Sequence, residues 1–361
     1  MTVPDSVAAA SDARKTANTH VQVLAVKEVI AETSDAVSVV LDVPDRLVGR
    51  FRYQPGQFLT VQIPSERTGS VARCYSLSSS PHLDDDLIIT VKRTPGGYAS
   101  NWICDNIRPG DRLTVLSPSG KFVPRSLHQD LLLIGAGSGA TPLLSIAKSA
   151  LIGGVATVYF FYANDTRGSV IFGAELDELM SEFPDRITVE HWLADTRGLP
   201  TVDLVAEHLA PYVHFDAFLC GPTAFMEVAR ASLATTGMPE RNIHTEIYQS
   251  LTGDPFADIV IPAFDVGEDA AQARVQLPDG SDVEISWPRE VPLLDVLLSK
   301  GIDAPYSCRE GACSACACSV RSGDVRLVRN DTLTDADIDH GLTLACQAVP
   351  LSDRVEIAFD Q

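Results

Sequence analysis

A chain of 361 residues is longer than one ordinary core supports, so two or three domains are expected. Its formal net charge of −20 excludes nucleic acid as a partner, because phosphate is repelled wherever basic residues are not concentrated, and no such concentration is visible. No apolar run is long enough to span a membrane, and Met1 to His20 lacks the basic start and apolar centre of a secretory signal. The eight cysteines do not read as a disulfide framework, which points to a reducing cytoplasm. Residues 1–17 are mostly small and polar and are expected to form a disordered tail.

Residues 18–124 read as short strands with turns between them: Val21 to Ile30, Ser38 to Val43, Gln57 to Ile63, Leu87 to Arg93 and Arg112 to Leu116. That spacing predicts a small antiparallel β-barrel. Within it, Arg73-Cys74-Tyr75-Ser76 lies on a predicted strand, where period-two alternation puts Arg73 and Tyr75 on one face. Tyr75 then suits the plane of a flavin ring, Ser76 its polar edge and Arg73 a pyrophosphate. The tetrapeptide equally suits an ordinary barrel strand carrying one exposed charge. A second piece favours the flavin: Val91-Lys92-Arg93 runs through Gly96-Gly97 into Tyr98-Ala99-Ser100-Asn101-Trp102, a turn that offers N–H groups and the Ser100 hydroxyl to phosphate.

Residues 125–250 change to alternating strands and helices. Leu131 to Ile134 predicts a strand buried on both faces, entering Gly135-Ala136-Gly137-Ser138-Gly139-Ala140-Thr141-Pro142 and a helix to Ala150. The third fingerprint position is Ala140 rather than Gly, and any tight strand-to-helix turn shows such glycines. Thr157 to Tyr162, Ile171 to Phe183, Ile187 to Leu193, Val202 to Leu209 and Ala217 to Cys220 continue a doubly wound parallel sheet. The last strand ends in Cys220-Gly221-Pro222, expected to meet Gly137 and Thr141 across one crevice. The plainer role for Cys220 is a small buried hydrophobe. The histidines show no metal-ligating spacing and are read as surface or core residues.

Residues 251–270 are expected to form an acidic, solvated linker; from Leu251 to Ala273 there are five acidic residues and no Lys or Arg. In 271–361, Arg274 to Leu277 and Val283 to Trp287 flank the turn Pro278-Asp279-Gly280, and a helix is predicted from Pro292 to Lys300. Cys308, Cys313, Cys316 and Cys346 then follow the spacing C-x4-C-x2-C, a long gap, C. That spacing matches plant-type [2Fe-2S] ferredoxins, whereas structural zinc usually shows two close pairs. Small residues between them let the loop curl and aim amide N–H groups at sulfur. Cys318 is expected to point away from the cluster. This segment carries fifteen acidic and eight basic residues, a balance that suits solubility or the steering of a basic partner.

Taken in order, these motifs resemble the ferredoxin-NADP reductase superfamily with a fused C-terminal plant-type ferredoxin, over nearly the whole chain after His20. More narrowly, residues 63–81, 90–102 and 304–320 are similar to the reductase components of actinobacterial 3-ketosteroid 9α-monooxygenases, with phenylacetyl-CoA oxygenase reductases a similar relative. The resemblance implies a multidomain fold: an antiparallel β-barrel flavin domain, an α/β parallel-sheet nucleotide domain and an α+β, β-grasp ferredoxin domain. It implies FAD held by Arg73, Tyr75, Ser76, Lys92, Gly97 and Ser100, with Cys74, Val91 and Tyr98 in the same segments. NADH lies over Gly137, Thr141, Cys220 and Gly221, flanked by Gly135 and Pro222, and Tyr75, Thr141 and Cys220 are the expected catalytic positions. Glu246 and Tyr248 approach the ring as the family's terminal acidic and aromatic residues do. Where relatives using either nicotinamide often carry Arg directly after Asn, this chain has Asp165 after Asn164, which repels a 2′-phosphate; Arg167 remains able to bind one, and NADH is the favoured reading. The implied function is electron delivery from NADH through FAD and the cluster to a terminal Rieske oxygenase in steroid catabolism. Alternatives are a reductase for an aromatic-acyl-CoA or alkane oxygenase, or a redox sensor without steady turnover.

Overall fold

The computed structural model describes residues 14–16, 20–248, 250–257, 259–261 and 269–359. It divides into two units, Val21–Ser250 and a second made of Met1–His20 with Leu251–Gln361. β1 (Arg14–Thr16) belongs to the second unit.

The larger unit opens with β2 (Gln22–Thr33), β3 (Ala36–Asp42), β4 (Phe58–Ser65), β5 (Gly69–Ser76), β6 (Leu87–Lys92), helix α1 (Tyr98–Asn106) and β7 (Arg112–Val115). These strands form one antiparallel sheet in the order β5-β4-β7-β2-β3-β6. A bridge between Leu77 and Ile89, just beyond β5, joins its two edges, so the sheet closes as the alternation of apolar and polar residues predicted. Leu24, Val39, Leu41, Leu59, Val61 and Ile89 fill its interior.

Next come β8 (Leu131–Ala136), α2 (Ala140–Gly153), β9 (Val158–Asn164), α3 (Gly173–Glu182), β10 (Ile187–Leu193), α4 (Ala194–Arg197), α5 (Val202–Leu209), β11 (Asp216–Cys220), α6 (Thr223–Thr236) and β12 (Ile243–Glu246). The sheet is parallel throughout, in the order β10-β9-β8-β11-β12. Every residue of β8 and β9 is buried, which explains their unbroken apolar runs. α3 begins at Gly173 rather than Ile171, because Phe172 takes a left-handed conformation (φ 63°) that breaks helical continuity.

Residues 140 to 151 of α2 are all buried, so this helix is apolar on every side. Its few polar groups fasten it to the segment after β5. Ser145 donates to the Ser79 carbonyl (2.5 Å), and the Ser149 and Ser80 hydroxyls lie 2.8 Å apart. Lys148, only 3 % exposed, pairs with Asp84 (2.7 Å) and Glu175 (2.8 Å).

The second unit contains β13 (Ile259–Ile261), β14 (Ala270–Gln276), β15 (Asp282–Pro288), α7 (Leu293–Ser299), β16 (Ala317–Ser322), β17 (Val325–Leu327), α8 (Asp335–Asp339), β18 (Leu342–Leu344), β19 (Ala348–Pro350) and β20 (Arg354–Ala358). Its main sheet runs β15-β14-β20-β16-β18, with β14 and β20 parallel and the other neighbours antiparallel. The buried face of α7 (Leu293, Leu294, Val296, Leu297) packs with Trp287, Val275 and Ile357. Each such side chain contributes about 1.5–3 kcal/mol by leaving water.

Two expectations for the chain outside the domains change. β1, within the expected tail, pairs antiparallel with β13, within the expected linker. Leu251 is buried, and three consecutive β-branched residues, Ile259, Val260 and Ile261, supply the strand propensity that the acidic composition obscured. Residues 1–13, 17–19, 258 and 262–268 of these two segments lie outside the described residues.

Replacing Lys148 by Ala strands two carboxylates beside α2. Because Glu175 keeps solvent contact, the expected cost is about 3 kcal/mol, the lower end for a broken buried pair. A fall in the thermal unfolding midpoint checks it.

Candidate functional site

In a parallel sheet all strands end on one edge, and here the ends of four adjacent strands carry the polar sequence: Ala136-Gly137 after β8, Asn164 on β9, Cys220-Gly221 on β11 and Glu246 on β12. Backbones approach closely at one point. A Cβ on Gly139 would stand 2.0 Å from the Cys220 carbonyl oxygen, so only Gly lets the turn reach the end of β11. Gly137 has φ +54°, and its carbonyl accepts a hydrogen bond from the Tyr162 hydroxyl (3.0 Å). Gly135 is a packing residue, since a Cβ there would stand 2.8 Å from Leu143 Cδ1. Thr141 is buried and donates to the Ser138 carbonyl (2.9 Å), holding the turn from within. Pro222 precedes the first turn of α6, where its missing N–H costs nothing.

The barrel supplies the facing wall. Arg73, Cys74 and Tyr75 on β5 pair with Val61, Thr60 and Leu59 of β4, which keeps Arg73 and Tyr75 on one face. Tyr75 packs partly on the barrel core, and burial pushes its phenol pKa up. Arg73 Nη1 donates to the Ala72 carbonyl (2.6 Å), and the Cys74 thiol lies 3.5 Å from the Thr60 hydroxyl. Lys92 Nζ stands 3.6 Å from Asp35 and close to Gly137, where a Cβ would be 3.9 Å from it. Gly97 precedes α1, Ser100 Oγ accepts from Thr94 N (3.0 Å), and Tyr98 donates to the Pro64 carbonyl (2.7 Å). The Val91 side chain lies in the core, and its carbonyl faces the Cys104 thiol (3.7 Å).

Wall and sheet edge meet at Ser76. Its hydroxyl donates to the Glu246 carboxylate (3.2 Å) and lies 3.3 Å from the Tyr248 hydroxyl, which donates to the Ser138 carbonyl (3.2 Å). Burial pushes the Glu246 carboxyl up to about 8, opposed in part by Ser76. Tyr248 leaves 45 % of its surface exposed, but its hydroxyl end points inward and burial pushes its pKa up. The Cys220 thiol is fully buried and pushed well above its ordinary value, by burial first and by Glu246 second. Tyr75 offers an aromatic face and the neighbouring cluster offers hydroxyl and carboxyl groups, a combination whose chemistry suits a flavin ring and its polar edge.

Two further polar groups escaped the sequence reading. The Asn164 amide and both His191 ring nitrogens are buried without a hydrogen-bond partner, on the adjacent strands β9 and β10. Burial lowers the His191 pKa, so its ring is neutral near pH 7. A histidine among apolar strand residues carries no sequence signal, although Asn164 stood in the run singled out for nucleotide choice.

In the second unit the cysteine loop runs from Ser307 to Cys316. Arg309 (φ 59°) and Ser314 (φ 58°) are non-glycine residues in the left-handed region, an arrangement costing about 1 kcal/mol or more each that persists where surrounding structure enforces it. Gly311 also has positive φ, and a Cβ there would stand 2.9 Å from the Arg329 carbonyl. This curl aims donors at sulfur. Glu310 N and Ala312 N each lie 3.4 Å from Cys308 Sγ, Cys308 N lies 3.3 Å from Cys313 Sγ, and Gln347 Nε2 lies 3.6 Å from Cys346 Sγ. The thiols are hydrogen-bonded in pairs, Cys308 with Cys313 and Cys316 with Cys346. The Cys313 bond and the loop amides pull the Cys308 thiol down to about 6 against its burial, so it is readily a thiolate. The Cys346 bond and burial push Cys316 up. Among the described residues no three or more side chains are grouped to hold a single metal ion. Two sulfur pairs with amide donors are instead what two bridged irons require. Cys318 is fully buried in the core beside Ala345, and burial pushes its thiol pKa up.

The native state binds the Glu246 proton more tightly than the unfolded chain. Glu246 therefore adds stability in full below its ordinary 4.5, and that increment is lost as pH rises to about 8. Glu246→Gln is expected to flatten this part of the stability profile of the flavin-free protein, measured by urea unfolding across pH. Gly139→Ala is expected to push the turn off β11 and slow flavin reduction by NADH about 100-fold, with the visible spectrum of bound FAD retained, in stopped flow.

Residues 22–123 match the oxidoreductase FAD-binding domain, 133–231 the oxidoreductase NAD-binding domain and 277–351 the 2Fe-2S iron-sulfur cluster binding domain. The chain is 52 % identical over 345 residues to the ferredoxin reductase component of 3-ketosteroid-9-alpha-monooxygenase from Mycolicibacterium smegmatis, covering 95 % of this chain and 98 % of that one. It is 33 % identical to a component of the 1,2-phenylacetyl-CoA epoxidase of Escherichia coli, covering 93 % and 97 %. The fold is similar to that of phthalate dioxygenase reductase (TM-score 0.54, 22 % identity, 94 % of this chain and 98 % of that chain). Both ends of the comparison are covered almost completely, and the three domains follow in the order the motifs implied. The chain belongs to the family of three-domain FAD-, NAD- and 2Fe-2S-binding oxidoreductases, among the ferredoxin reductase components of 3-ketosteroid-9-alpha-monooxygenases.

Proposed function

We propose that this chain delivers electrons from NADH to a Rieske-type oxygenase acting on a 3-ketosteroid. The observation that carries the reading is the meeting of Ser76, Glu246, Tyr248 and Ser138 at the edge where the flavin wall faces the nucleotide crevice. Bound FAD would supply the exchange between the electron pair of a nicotinamide and the single electrons that a [2Fe-2S] cluster can take. The names of the relatives support an oxygenase as the recipient and a steroid as its substrate.

The protein's own task is to bind, orient and exclude water. Tyr75 covers one face of the flavin ring, Ser76 and Tyr248 hold its polar edge, and Arg73, Lys92 and Ser100 hold the phosphates with N–H groups near Gly97. The nucleotide lies along Gly137 and Cys220-Gly221, with Thr141 keeping the turn rigid. Asn164 and neutral His191, whose polar side-chain atoms are buried, offer donors and acceptors to it. Glu246, held protonated near pH 7, keeps a negative charge away from a site that gathers electrons. Asp165 at the end of β9 disfavours a 2′-phosphate, which makes NADH the better substrate. Cys308, Cys313, Cys316 and Cys346 would hold a [2Fe-2S] cluster, which would supply one-electron transfer. Among the described residues no helix is long and apolar enough to cross a membrane. A cytoplasmic setting rests on the use of cysteines as free thiols and cluster ligands.

Anaerobic addition of NADH is expected to bleach the flavin and then raise the reduced-cluster EPR signal, with NADPH requiring higher concentration. Cys313→Ser is expected to abolish the EPR signal while NADH still bleaches the flavin. If neither NADH nor NADPH bleaches the flavin, the crevice assignment is overturned.

A further inference from the structure

The cluster loop has one attachment that none of the roles above uses. The Glu310 carboxylate, between Cys308 and Cys313, receives three hydrogen bonds from the segment that enters this unit: Thr252 N (2.9 Å) on Oε1, and Gly253 N (3.0 Å) and the Thr252 hydroxyl on Oε2. Both of its oxygens are thus occupied by a piece of chain 57 and 58 residues away in sequence. The same residue's amide N–H points at Cys308 Sγ (3.4 Å), so its backbone serves the sulfur while its side chain holds the cover. Arg309, next to it, is anchored on Asp295 (2.8 Å), and Gln347 Nε2 donates to the Arg309 carbonyl (3.1 Å). Gly253, Asp254, Arg309, Glu310, Cys308 and Cys346 line a cleft of about 240 Å³ over the sulfurs.

We propose that Glu310 is a positioning residue for the cluster: by clasping Thr252 and Gly253 it fixes the left-handed turn at Arg309 and closes the entering segment over Cys308 and Cys346. This rests on the reading of the four cysteines as cluster ligands. A carboxylate accepting two backbone N–H bonds and a hydroxyl is held in one orientation, and that orientation is transmitted to the amides at 310 and 312, which donate to Cys308. Amide donors to a cluster sulfur and the exclusion of water both set the reduction potential. The clasp therefore governs potential and lifetime together, although Glu310 itself touches no iron.

The test uses the full chain loaded with FAD and cluster, in three variants. Glu310→Ala removes clasp and charge, Glu310→Gln removes the charge but keeps an acceptor, and Thr252→Val removes the hydroxyl bond with the charge unchanged. EPR-monitored redox titration gives the cluster potential, and bleaching in the presence of a chelator gives its lifetime. The expected result is cluster loss about tenfold faster in Glu310→Ala, the scale of losing a supporting hydrogen bond at a metal site. Thr252→Val is expected to shift potential and lifetime in the same sense by less, and Glu310→Gln to lie between Thr252→Val and Glu310→Ala in lifetime. Wild-type potential and lifetime in Thr252→Val, with equal shifts in the two Glu310 variants, overturns the clasp in favour of charge alone. If Glu310→Ala takes up no cluster, Thr252→Val decides the matter. A wild-type chain that forms no [2Fe-2S] signal sinks the ligand reading instead.

Discussion

The approach of two backbones at Gly139 and Cys220 is the constraint from which the nucleotide half follows. For the turn after β8 to lie against the end of β11, the two strands must be neighbours, parallel and in register, and Cys220 is paired with Gly135 accordingly. Strand order then sets what surrounds the crevice, with β9 presenting Asn164 on one side and β12 presenting Glu246 on the other. A side chain at 139 would open this edge whatever else the fold retained. α2, which starts at the turn, inherits the position and carries Ser145, Lys148 and Ser149 to the segment following β5. One close contact thus registers both the sheet edge and the flavin-domain wall against it.

Charge is handled differently in the two halves of the chemistry. Around Ser76 the carboxyl, phenol and thiol groups are all shifted toward their neutral forms, because burial dominates each of them. In the cysteine loop, amides and a neighbouring thiol outweigh burial at Cys308 and favour the charged form. The contrast agrees with what is proposed for each place: one a planar organic ring, the other metal ions whose ligands have to be thiolates.

Much of this was legible in the sequence. The strands and helices of the nucleotide half emerge within a few residues of their predicted limits, because continuous apolar runs and Gly-rich turns are strong signals; β10 and α5 coincide with them. The cysteine spacing identified the ferredoxin domain outright. What stayed hidden depends on distance in sequence. Gly135 reads in the sequence as part of a phosphate cradle, and only the fold shows that Leu143 and Phe160 also pack against it. The pairing of β1 with β13 joins two segments whose compositions each argued for solvation, since three residues of strand are too few to outweigh their neighbours. His191 was unreadable because nothing local distinguishes an unpartnered buried imidazole from a satisfied one.

The ferredoxin sheet places β20 between β14 and β16, although β20 follows every other strand of that unit in the chain. The strand that completes the middle of the sheet is therefore made last, after the three cysteines of the loop and Cys346 have been synthesised. Until β20 inserts, β14 and β16 expose unpaired edges and the core behind Ile357 is open. Loss of this one strand therefore opens the middle of the sheet at two edges at once, the condition in which unpaired strands recruit other chains.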